Sequence, residues 1–215
     1  MTLPNAHKGV QKLFIAEILQ LIGVVLVLIG LVMFGAVAGV YQEAGQQAAE
    51  GMAGVAVGGM VSMLGALCMP IIGLILSLVG LRQASKDEPD YMNKAFWCAI
   101  WALILAVVAG GLQAAHWGGS GFFNAIARIL EICMMVFSIM GVSEVTQNIS
   151  RQDVADLGPK IITISVVAMV LALIASLLGR VVGGVVITVS LILMLVAYVT
   201  YVVFLAKATS ALAKG

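Results

Sequence analysis

Residues 13–40 read LFIAEILQLIGVVLVLIGLVMFGAVAGV, a run in which Glu17 is the one ionisable side chain. The apolar residues are continuous and do not alternate, which is the pattern of a lipid-embedded helix and not of a barrel strand. At about 1.5 Å per residue the run exceeds a hydrocarbon core of about 30 Å. It is also far longer than the roughly 7–15 apolar residues of a signal peptide, so it reads as a retained first span. Five further runs of the same kind follow, at about residues 52–81, 95–115, 122–142, 161–180 and 182–207. The reading is an all-α polytopic integral membrane protein with six transmembrane helices in a single domain over residues 1–215. The turn between the last two helices is placed at Gly179, Arg180, Gly183 and Gly184.

Composition agrees. Of 215 residues, 62% are hydrophobic and 10% charged, with a mean hydropathy of +1.15. Soluble domains carry roughly 25% charged residues. This deficit excludes an ordinary soluble enzyme, a disordered tail and a nucleic-acid binder. The net charge of +1 points to no polybasic or acidic partner surface. Three cysteines, Cys68, Cys98 and Cys133, lie inside apolar runs without paired spacing, so neither a disulfide framework nor a metal site is expected. No cofactor is implied.

The cations set an orientation. Lys8, Lys12, Arg82, Lys86, Lys94, Arg151, Lys160, Lys207 and Lys214 fall on one side of a six-span topology, Arg128 and Arg180 on the other. Under the positive-inside rule both termini are cytoplasmic, and a bacterial plasma membrane is the expected location.

Setting Lys12, Lys94 and Lys160 in register aligns KLFIAEILQLIG, KAFWCAIWALIL and KIITISVVAMVL. The returning helices end in VGLRQASKD, MGVSEVTQN and FLAKATSAL. This suggests three tandem two-helix hairpins, at about residues 10–82, 92–145 and 158–210. In this layout the chain resembles the acid-resistance membrane proteins built from short two-helix repeats. In length and helix count it resembles the substrate-binding subunits of vitamin-uptake transporters. No motif of either family is present, so the resemblance implies layout alone.

An ionisable side chain within a span costs several kcal/mol unless paired or hydrated, and is the default functional candidate. Glu131 falls near the middle of the fourth span, with Arg128 one turn earlier. At that spacing the two either neutralise each other on one face or line a polar site within the bundle. Glu17, with Gln20 one turn deeper, is either a residue near a helix end or a second part of such a lining. Pro70 and Glu131 each precede by ten residues the glycines, Gly80 and Gly141, near the ends of their helices. The proposed repeat therefore gives a helix breaker and a carboxylate equivalent places.

The small residues Gly35 with Gly39, Gly54 with Gly58, Ala106 with Gly110, and Ala175, Gly179 and Gly183 recur at helix-contact spacing. They offer faces for a homo-oligomer or a partner membrane subunit. No aspartate occurs in any span and no nucleotide-binding loop in any linker, so no catalytic residues are assigned and an enzyme is not expected. The expected function is binding or passage of a small solute or membrane lipid through a central polar region lined by Glu131, Arg128, Glu17, Gln20 and Pro70. The alternative is a non-catalytic structural or partner-stabilising subunit.

Overall fold

The computed structural model describes residues 3–44, 53–116, 119–177 and 180–213. Its helices are α1 (Pro4–Ala44), α2 (Ala53–Ala84), α3 (Pro89–Ala114), α4 (Ser120–Asn148), the single turn α5 (Gln152–Ala155), α6 (Leu157–Leu177) and α7 (Arg180–Leu212). No strand occurs among the described residues. Six of these helices, all but α5, are long and apolar enough to cross a membrane. Gly179 lies outside the described residues, and Gly183 and Gly184 fall within α7.

The helices overrun their apolar segments mainly at the lysine-bearing ends. α1 begins at Pro4 where hydropathy suggested residue 13, and α4 continues to Asn148 where it suggested residue 142. Hydropathy senses only the length in contact with hydrocarbon, whereas a helix continues until its backbone is capped. Pro4 and Pro89 are the first residues of α1 and α3, where a missing N–H costs nothing and φ is already helical. Glu88 then caps α3, its carboxylate accepting from the backbone N–H groups of Asp90, Tyr91 and Met92 at 2.9–3.1 Å.

The chain divides into two compact units: Met1–Phe14 with Leu78–Gly215, and Ile15–Ser77. In the first, the beginnings of α1, α3 and α6 and the ends of α2, α4 and α7 contribute to one apolar core. Val10, Leu81, Met92, Ile139, Val142, Ile161, Phe204 and Leu205 are among its fully buried members. That core gathers the lysine-bearing helix ends together. Sequence neighbours pair as hairpins, α3 with α4 and α6 with α7. Inside the last hairpin the buried Ser190 hydroxyl donates to the Ala168 carbonyl at 2.7 Å, a polar tie between apolar helices. Gly9 and Gly80 let α1 and α2 touch: a Cβ on Gly80 would stand 2.8 Å from the Gly9 carbonyl oxygen.

In the second unit α1 and α2 also pack directly. Gly23 faces Pro70, Gly30 faces Met63 and Gly59 faces Phe34. α2 passes through Pro70 without a break in its helical assignment. Of the glycines marked by spacing, Gly58 meets Met33, while Gly35, Gly54 and Gly110 meet nothing within 4 Å.

Both units turn large apolar side chains outward, among them Val32 (73% exposed), Leu67 (67%), Val107 (67%) and Leu191 (60%). In water such continuous apolar surface would drive aggregation. In a bilayer it is the solvated surface, and the helices satisfy their own backbone.

Candidate functional site

The five residues singled out from the sequence fall into two sets. Glu17, Gln20 and Pro70 belong to the unit of residues 15–77. Glu17 and Gln20 are half-buried; the Gln20 Cγ lies 3.2 Å from where Gly73 would carry a Cβ, so its stem packs on α2. The Pro70 ring lies 3.2 Å from the corresponding point on Gly23, a contact that shapes the α1–α2 hairpin. Arg128 and Glu131 belong to α4 in the other unit, and both are exposed. They form no ion pair with each other: among the described residues the salt bridge present is Arg151–Asp153. None of the grooves described below is lined by any of the five.

A different site arises where α4 outlasts its apolar run. The segment Gly141–Asn148 holds no breaker, and Thr146 satisfies its own hydroxyl on the carbonyls of Val142 and Ser143. The helix stops at Ser150, whose φ of 62° is left-handed. There Ser150 N–H bonds the Gln147 carbonyl and Arg151 N–H bonds the Thr146 carbonyl, at 2.8 and 3.0 Å. This paired pattern is a Schellman closure. The chain returns through α5 into α6, where Gly158 presses against Ser143 so closely that a Cβ there would collide with the serine hydroxyl.

Beside this contact lies an open groove of about 760 Å³. Val136, Met140, Ser143, Glu144, Gln147 and Asn148 form one wall, at the spacing of a single helix face. Tyr91 of α3 and Pro159, Ile162 and Thr163 of α6 complete it. The volume is within the roughly 300–1,000 Å³ of small-molecule sites. Polarity is graded along α4, from Val136 and Met140 to Glu144, Gln147 and Asn148, over an axial rise of about 18 Å.

Glu144 is half-buried, and among the described residues its side chain makes no hydrogen bond or ion pair. The Ser143 hydroxyl is buried without a hydrogen-bond partner, a state that costs about 1–3 kcal/mol when nothing fills it. Thr163 spends its proton on the Pro159 carbonyl at 2.8 Å. The Lys94 ammonium lies 5.5 Å from the centre of the Tyr91 ring.

No family model, curated protein or solved structure matches this chain. The site must therefore be read from its own chemistry. Among the described residues no group of three His, Cys, Asp or Glu side chains is placed to hold a metal. The groove offers one carboxylate, an aromatic ring, amide and hydroxyl groups, and an apolar floor. That set is chemically suited to an amphipathic molecule.

Three smaller grooves lie elsewhere. One of about 130 Å³ is almost wholly apolar, between Met135, Met169 and Met194. One of about 340 Å³ holds Arg151, Asp153 and Lys207. One of about 370 Å³ holds Arg82, whose guanidinium stacks 5.5 Å from the Phe96 ring centre.

Sequence reasoning did not single out Ser143 and Glu144 because it ended the fourth apolar span at about residue 142, nor Tyr91 as a groove residue because it began the third at about residue 95. The signal was present: Met140, Ser143, Glu144 and Gln147 keep helical spacing past the last apolar turn.

Proposed function

We propose that this multi-pass membrane protein binds a lipid or a small amphipathic solute in the groove between α3, α4 and α6. The single observation behind this reading is the graded groove, with a half-buried Glu144 at its polar end and Met140 at its apolar end. A water-soluble ligand would find the apolar floor unrewarding, and a pure hydrocarbon would leave Glu144 and Ser143 unanswered. An amphiphile lying along α4 answers both. The role is non-catalytic in this proposal, since the groove brings together no acid–base pair.

The location proposed with it is a bacterial plasma membrane, with both termini in the cytoplasm. Support comes from the lysine-bearing helix ends, which share one apolar core and so one end of the first unit. The groove would then open at the inner leaflet. Passage of a solute between Glu131, Arg128, Glu17, Gln20 and Pro70 has less behind it, since Arg128 and Glu131 are exposed and none of the five lines a groove described above.

That exposed pair favours a second reading, a subunit that stabilises a partner. An exposed charge within a span is costly, and a neighbouring membrane subunit or second copy would relieve it.

Native mass spectrometry of the purified chain tests both. Retained lipid or amphiphile, lost when Met140→Trp or Thr163→Trp fills the groove, supports the binding reading. A ligand-free chain, or one whose ligand ignores both substitutions, defeats it. Dimers or a co-purified subunit lost on Glu131→Leu support the second.

A further inference from the structure

We propose that the groove receives an ammonium group carried on an apolar chain, with Glu144 as its counter-charge; this rests on the amphiphile-binding reading above. Glu144 is the charged residue of the wall, and every other lining group is neutral. Its carboxylate is half out of water, and no neighbour among the described residues compensates it. A partly desolvated anion is stabilised most by a cation that also donates hydrogen bonds, which an alkylammonium does.

Four neighbours agree with a cation at this end. The Tyr91 ring lines the groove and already attracts the Lys94 ammonium at 5.5 Å, so its π face lies in reach of positive charge. The unpartnered Ser143 hydroxyl oxygen can accept a hydrogen bond from an ammonium N–H. Gln147 and Asn148 each add an amide oxygen at the same polar end. An anionic headgroup meets the opposite situation, since it would have to sit beside Glu144.

Lys94 sharpens the choice. Its ammonium contacts the Tyr91 ring and, among the described residues, forms no ion pair, and its charge suits a phosphate. A zwitterionic aminophospholipid carries both groups a few bonds apart: the ammonium for Glu144, the phosphate for Lys94, and acyl chains for Met140 and Val136. A soluble alkylammonium carries the first and last of these.

The intact protein in neutral detergent, analysed by native mass spectrometry, separates the sources. The probes are phosphatidylethanolamine and phosphatidylglycerol of identical acyl chains, and dodecylammonium. The expected result is a preference of about tenfold for the ethanolamine lipid, in line with one charge-assisted hydrogen bond. Glu144→Gln brings the two lipids to parity. Dodecylammonium bound in a Glu144-dependent way, without a preference between the lipids, also upholds the ammonium site and assigns it to a soluble amine. Equal uptake of both lipids by the native chain, lost in Met140→Trp, with no Glu144-dependent dodecylammonium, overturns the ammonium site and leaves amphiphile binding standing. Uptake untouched by Met140→Trp and Thr163→Trp overturns both. The native-chain comparison needs no variant, so a misfolded Glu144→Gln would not decide the matter.

Discussion

Asp87 caps the start of α1 through Asn5, 82 residues earlier in the chain. Its carboxylate accepts from the backbone N–H of Asn5 at 2.9 Å and of Ala6 at 2.8 Å, and from the Asn5 side-chain amide at 2.9 Å. The first N–H groups of a helix have no internal acceptor, and here the linker between α2 and α3 supplies one. The adjacent Glu88 does the same for α3. Two consecutive acids thus tie together the beginnings of two helices.

Removing the tertiary cap should be felt at once. Asp87→Ala is expected to cost about 1–2 kcal/mol, the upper part of the range for lost caps, because it leaves two backbone donors and one amide unanswered. Asp87→Asn, which keeps an acceptor oxygen, should cost less. Thermal unfolding in detergent checks the order: Ala below Asn below native. A native-like melting temperature for Asp87→Ala would show the cap to be idle.

Glu88 is 5% exposed and serves three N–H groups. Glu88→Ala should therefore fray the first turn of α3. Hydrogen exchange at Tyr91 and Met92 is the direct readout, with faster exchange expected there and little change at Ala99 or Ala102, deep in the same helix. Because Tyr91 lines the groove, amphiphile uptake should fall with it.

Ser150 adopts a left-handed φ of 62° to close α4. That conformation costs an ordinary residue roughly 1–2 kcal/mol, and glycine's extra chain entropy returns part of the gain. Ser150→Gly should raise stability by about half to one kcal/mol, seen as a higher melting temperature. Ser150→Val should lower it, since a β-branched residue tolerates positive φ least.

Gly80 and Gly110 make a controlled pair. A Cβ on Gly80 meets the Gly9 carbonyl oxygen at 2.8 Å, whereas one on Gly110 meets nothing within 4 Å. Gly80→Ala must push α1 and α2 apart, at about 1–3 kcal/mol for overpacking. Gly110→Ala should be neutral or stabilising by up to about 1 kcal/mol, from helix propensity alone. Equal melting temperatures for the two variants would refute the close approach at Gly80.

Solvent, helix count and the clustering of charge were legible in the chain because each depends on composition along a single segment. A run such as residues 13–40 can bury its backbone in lipid only as a helix, whatever surrounds it. The hairpin pairing of neighbouring helices follows from short linkers. Arg128 and Glu131 drew attention by the same local logic. Whether they are covered is not a local property: Ile139 and Val142 lie on nearly the same face of α4 and are buried in the apolar core, whereas Arg128 and Glu131, two to four turns earlier, are exposed. The groove at Glu144 is non-local too. It needs α4 to run past its apolar stretch, Gly158 to admit Ser143, and Tyr91 to arrive from α3. Hydrophobic patterning reports the transfer of each residue between water and lipid, one residue at a time. A binding site is made of distances between residues far apart in the chain, and only the packed helices set those.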